Sequence, residues 1–168
     1  MWEAIRDDVI SDLKQSVKTT RLILTGISLG GGLACLSFVD IKASGAFDNV
    51  EVISFGAPRV GNKKWASFFD SIVEHTRIFI LDDPVAALPT CYTPLCNYQQ
   101  TGIPYVCAAT TETCTRKASG ESLNLSQDSG YLVSELKEHS SELLKGDLNG
   151  VIDHIFGYKK IKDYTFVN

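Results

Sequence analysis

The sequence predicts an α/β fold with a mostly parallel sheet flanked by helices. Three observations carry this. Short apolar runs of strand length alternate with stretches of helical periodicity, glycine and proline punctuate the boundaries, and 168 residues suit one domain with a sizeable core. Strands separated by helices pair in parallel, because the crossover returns the chain to the same end of the sheet.

Each element follows in order. Trp2, Ile5, Val9, Ile10, Leu13 and Val17 recur at helical spacing, with Lys14, Gln15 and Lys18 polar between them. Residues 21–25 form a short apolar run, a buried strand, and 26–32 break the pattern with glycine. Helical composition returns over 33–41. Residues 51–55 are the next strand, stopped by Gly56-Ala57-Pro58. A helix is expected over 65–73 and a third strand over 77–81. Four of the five prolines lie between Pro84 and Pro104, so that stretch reads as mostly loop. Further strands are expected over 102–108 and 110–116, and a helix over 131–145 ended by Gly146. Residues 151–158 are a short apolar segment.

Composition narrows the function classes. The net charge of −4 and pI of about 5.3 disfavour a phosphate backbone, so no nucleic-acid partner is expected. Lys63-Lys64 and the lysines of 159–162 read as solvated surface. No apolar run approaches the ~20 residues that span a bilayer, and the opening residues are amphipathic rather than a leader's continuous apolar core. Cys91, Cys96, Cys107 and Cys114 cluster in one loop-rich stretch without zinc-ligand spacing, so no metal is expected. Two disulfides pinning a long loop fit better, in a secreted or lumenal compartment. Four reduced cysteines of a cytoplasmic protein are the alternative. Cys35 reads as a small buried residue of a helix.

Gly26-Ile27-Ser28-Leu29-Gly30 matches G-x-S-x-G, placed after an apolar strand and before a helix. This is the pattern of a nucleophile elbow, a tight strand-to-helix turn that lifts a serine hydroxyl clear of the sheet. Side chains at positions 26 and 30 are expected to collide with neighbouring strands, hence glycine at both. The helix N-terminus favours developing negative charge, and the Leu29 N–H is placed to supply one half of an oxyanion hole.

A serine nucleophile needs a base, and the base an orienting acid, in the chain order Ser, Asp or Glu, His for this fold class. Of the three histidines, His75 is expected at a helix C-terminal end as a charge partner, and His139 on a polar helix face. His154 falls late, in the required order. For the acid, Asp82 and Asp83 both follow the third strand, at the end where sites form in open α/β sheets. Asp40 and Asp70 read as structural residues at helix ends.

Five stretches resemble the class 3 lipases, the family that includes filamentous-fungal triacylglycerol lipases. Residues 25–34, T-G-I-S-L-G-G-G-L-A, are similar to the family's T-G-H-S-L-G-G-A-L-A. Residues 55–62, F-G-A-P-R-V-G-N, resemble its F-G-x-P-R-V-G-N turn, and 83–89 its acid segment, D-x-V-P-x-L-P. His154-Ile155-Phe156-Gly157-Tyr158 resembles a late H-x-x-x-Y segment, and 102–106 the strand before it. Ile27 and Ala86 depart from the usual histidine and proline. The resemblance implies an α/β-hydrolase fold and a catalytic triad of Ser28, Asp83 rather than Asp82, and His154, with no metal or organic cofactor. It implies a carboxylic ester substrate, acylglycerols first, met at a lipid–water interface. Phospholipase or feruloyl-type esterase activity stays open.

The resemblance further implies that residues 1–168 are one domain, the C-terminal part of a catalytic domain. The strands and loop that supply a second oxyanion donor would precede it. Losing such a donor costs on the order of 10²- to 10³-fold in rate. The rival expectation is therefore a hydrolase-fold remnant that binds lipid or protein without turnover.

Overall fold

The computed structural model describes residues 1–16, 21–81, 83, 85–89, 97–108, 110–117, 158 and 161–167. The helix expected over 131–145, together with Asp82, Cys91, Cys96, His139 and His154, lies outside these residues.

Helix α1 (Trp2–Ser16) leads into strand β1 (Arg21–Ile27), and helix α2 (Leu29–Ala43) follows after the single residue Ser28. Strand β2 (Asn49–Phe55), the short β3 (Gly61–Asn62), helix α3 (Lys63–Ile72) and strand β4 (Glu74–Ile80) come next. A 3-10 turn over Val85–Ala87 precedes β5 (Tyr98–Gln99), β6 (Ile103–Ala108) and β7 (Thr113–Arg116). A second 3-10 turn, Ile161–Asp163, leads to β8 (Thr165–Val167).

Among the described residues one six-stranded sheet runs in the order β1-β2-β4-β6-β7-β8. The pairs β1/β2, β2/β4 and β4/β6 are parallel, β6/β7 is antiparallel and β7/β8 is parallel. β3 and β5 form a separate antiparallel pair. The parallel half carries α2 and α3 as its crossovers, as the alternation of strand and helix predicts.

The two faces of the sheet are filled differently. Phe38, Ile41 and Cys35 of α2, Phe69 of α3 and Val50 and Val52 of β2 make one core, flanked by Trp2, Ile10 and Leu13 of α1. Phe38 and Phe69 meet edge to face with centroids 5.4 Å apart. The indole of Trp2 donates to the Asp40 carboxylate at 2.6 Å, tying α1 to α2. On the other face Ile78, Cys107 and Cys114 pack with Tyr158, Ile161 and Tyr164. Cys107 and Cys114 are directly paired across β6/β7 and are joined by a disulfide.

Three local expectations are corrected. β1 continues through Gly26 to Ile27, because its ladder with β2 extends to the pair Ile27 and Phe55. α3 begins at Lys63, where the Asn62 side chain accepts from the Trp65 N–H at 2.9 Å and caps the helix. His75 does not end a helix. It lies on β4 and is 3% exposed, because parallel pairing with β2 starts at Glu74.

Candidate active site

Ser28 stands alone between β1 and α2 with φ 55° and ψ −128°, a left-handed backbone that a side chain adopts at a cost of about 1–3 kcal/mol. Two sets of hydrogen bonds hold it there. Its N–H donates to Phe55 O at 2.8 Å, and its carbonyl accepts from Gly31 and Gly32. Ser28 is half-buried, and the Leu29 N–H, at the first position of α2, makes no hydrogen bond among the described residues. A free N–H at a helix N-terminus is suited to an oxyanion.

The glycines of the turn divide in a way that the motif does not reveal. A Cβ on Gly26 would stand 2.3 Å from the carbonyl carbon and oxygen of Gly30, which no relaxation accommodates. The obstacle is the first turn of α2, not a neighbouring strand. A Cβ on Gly30 would meet nothing within 4 Å, so the expected collision there is overturned. The tight position is Gly31, whose Cβ would fall 2.8 Å from that of Ala57 and 2.9 Å from Gly26 O.

Asp83 follows β4 on a turn closed by its own N–H to Ile80 O, 3.1 Å. Its Oδ1 accepts the Val85 N–H at 2.9 Å, and its Oδ2 accepts the Tyr158 hydroxyl at 2.5 Å. That hydroxyl in turn accepts the Ile80 N–H at 3.1 Å. Burial, and after it the Asp83 charge, hold the Tyr158 phenol far above its ordinary range, so it is a committed donor to the carboxylate.

The chain brings the surroundings of Ser28 and Asp83 to one dipeptide. Phe55 O anchors Ser28, and the next residue, Gly56, lies beneath the acid with φ 53°. A Cβ on Gly56 would stand 2.6 Å from the Tyr158 ring and hydroxyl and 2.7 Å from Asp83 Oδ2. Sequence reasoning singled out the F-G-A-P-R-V-G-N turn and the late tyrosine but gave neither a task at the acid. Their presence inside family-like motifs was the available signal.

A second polar cluster lies inside the helix-covered face. His75 Nε2 is 2.9 Å from Ser54 Oγ and 3.8 Å from Cys35 Sγ, and its Nδ1 is 3.0 Å from Thr101 Oγ1. Ser54, His75 and Thr101 are 0%, 3% and 2% exposed. Desolvation, helped by the Arg77 charge, pushes His75 down to about 3, so the imidazole is neutral. Burial pushes the Cys35 thiol up to about 12, leaving it protonated. Serine here sits on a regular strand without an elbow, its histidine is oriented by a hydroxyl rather than a carboxylate, and all three side chains are shut off from solvent. The cluster knits α2, β2, β4 and the segment before β6 together.

Against known proteins, residues 1–93 match the family model for Lipase (class 3). The secreted mono- and diacylglycerol lipase 2 of Gibberella zeae is 35% identical over 102 residues, covering 52% of this chain and 25% of that protein. Phospholipase A1-IIdelta of Arabidopsis thaliana is 41% identical over 71 residues, covering 41% of this chain and 16% of that protein. Among solved structures, the mono- and diacylglycerol lipase of Aspergillus oryzae superposes with a TM-score of 0.56 at 28% identity, over 64% of this chain and 39% of that one. The chain thus spans about a sixth to two fifths of the length of these relatives, and the shared fold is that of the α/β-hydrolases.

Proposed function

The chain belongs to the class 3 lipase family, and from that premise we propose that it is a serine carboxylic ester hydrolase acting on acylglycerols. One observation supports this above the others. Ser28 is held at positive φ at the N-terminus of α2 by Phe55, while Gly56, the next residue, makes room for Asp83 and its tyrosine. In this reading Ser28 Oγ attacks the ester carbonyl as His154 takes its proton. The Leu29 N–H holds one side of the oxyanion. Asp83 orients the imidazole and stabilises its charged form. Collapse of the tetrahedral species expels the alcohol, which takes the proton from His154, and leaves an acyl-enzyme. Water, deprotonated by His154, then releases the acid. No metal or organic cofactor enters any step.

Ile27 and Leu29 around the end of β1, Leu81 just after β4 and Leu88 on the loop beyond Asp83 are exposed apolar side chains, suited to substrate drawn from a lipid–water interface. The buried disulfide, with the secreted relative, supports an extracellular or lumenal location. No described helix is long and apolar enough to cross a membrane.

Ser28→Ala is expected to abolish both hydrolysis of a short-chain chromogenic ester and labelling by a fluorophosphonate. Parent-level labelling of that variant would show the nucleophile to be misassigned. A folded parent that takes no label would favour the non-catalytic remnant. The plant phospholipase relative motivates a second reading, a phospholipid ester substrate. Release of fatty acid from phosphatidylcholine but not from diacylglycerol would select it.

A further inference from the structure

Resting on the assignment of Asp83 as the triad acid, we propose that Gln100 is a positioning residue for that acid. Its half-buried carboxamide spends its Nε2 on two backbone carbonyls, Ala57 O at 3.1 Å and Ala86 O at 2.7 Å. Both acceptors belong to buried residues, 2% and 8% exposed. Ala86 lies in the 3-10 turn that follows Asp83, and Ala57 directly follows Gly56, the residue against the acid. One NH₂ group therefore fastens the acid loop to the turn that supports the acid.

The carboxamide is delivered by a segment that is itself fixed on both sides. Before it, β5 pairs with β3, and Asn97 O accepts the Lys63 N–H at 2.9 Å. After it, the buried Thr101 bonds His75 through its hydroxyl and accepts Arg77 Nε at its carbonyl, 3.2 Å. The Gly102 N–H then donates to Asp70 Oδ1 at 2.8 Å. A donor mounted this rigidly sets a position rather than following one. Arg59, just ahead of β3, completes the clamp, its N–H on Leu88 O at 2.7 Å and its guanidinium on Pro89 O at 2.9 Å. These contacts hold the far end of the acid loop, whereas Gln100 holds the turn next to Asp83.

The test compares the parent chain with Gln100→Ala and with the isosteric Gln100→Glu, whose carboxylate cannot donate to either carbonyl. In both variants amide exchange by mass spectrometry rises in peptides covering 83–89 and stays at the parent level in β1 and β2. Turnover of a short-chain ester falls on the order of 10- to 100-fold with KM unchanged, the scale of a displaced catalytic group. The acid limb of the pH–rate profile moves to lower pH, because a misaligned carboxylate stabilises the imidazolium less. Unchanged exchange in 83–89, or a Gln100→Glu protein with parent turnover and pH profile, overturns the assignment. A parent that takes no fluorophosphonate label removes the triad reading and this assignment with it. A labelled parent with unaffected variants removes this assignment alone.

Discussion

At Gly56 a hydrogen atom occupies the place where any side chain would press on a tyrosine and a carboxylate together. The left-handed φ of that residue is what turns β2 out of the sheet just below the acid, and only glycine adopts it without strain. The acid then gains from its partner. Tyr158 donates to Asp83 and accepts from the Ile80 N–H, so one hydroxyl satisfies two groups. Tyr158→Phe leaves the Ile80 N–H and one carboxylate oxygen without that partner. Its expected cost is on the order of 1–3 kcal/mol in urea unfolding, together with slower turnover. A variant as stable as the parent would mean that water replaces the phenol at no penalty.

Among the elements, the β6–β7 hairpin and helix α2 show how sequence-local features are given their purpose by neighbours. Cys107 and Cys114 close a short loop, with a sequence separation of 7, and both are fully buried against Ile78 and Tyr164. Because the bridge restrains the unfolded chain, replacing both by serine should lower stability by about 2–3 kcal/mol from loop closure alone. Burying two hydroxyls adds to that. A thermal melt of the double variant that coincides with the parent's would contradict this. In α2 the glycines at 31 and 32 are buried, and the first of them lets the helix approach Ala57 and Ser54. Close approach of α2 to β2 is thus a second reason for the glycine run beside the elbow itself.

At the scale of the whole molecule, His75 links α2, β2, β4 and the segment before β6. Its folded pKa, pushed down to about 3 from an ordinary 6.5, sets a pH dependence of global stability. The unfolded chain binds the proton more readily, so the neutral imidazole's contribution is complete above pH 6.5. It is lost as pH falls toward 3, at about 1.4 kcal/mol per pH unit inside that window. Denaturant midpoints of the parent should therefore drop between pH 6.5 and 4. A His75→Gln protein, less stable at neutral pH, should lack that part of the slope. Equal slopes in the two would mean that other groups cause the loss.

Much of this architecture was legible from the chain alone. Alternating strand and helix patterns, the turn residues around Ser28, and the acid after the third strand all depend on near neighbours, which the sequence lists in order. The extent of β1 and the place of His75 were not legible in that way. Hydrophobic periodicity ended the strand at a glycine and put a polar imidazole at a helix end. Ladder pairing with β2 extended the one and buried the other. What the sequence determined by itself is the α/β alternation and the tight turn that carries Ser28. Only the tertiary structure decided which glycines are crowded, which histidine is neutral and which tyrosine holds the acid. Those outcomes rest on contacts between residues as far apart as 78 positions, and burial and partner choice exist only after such residues meet.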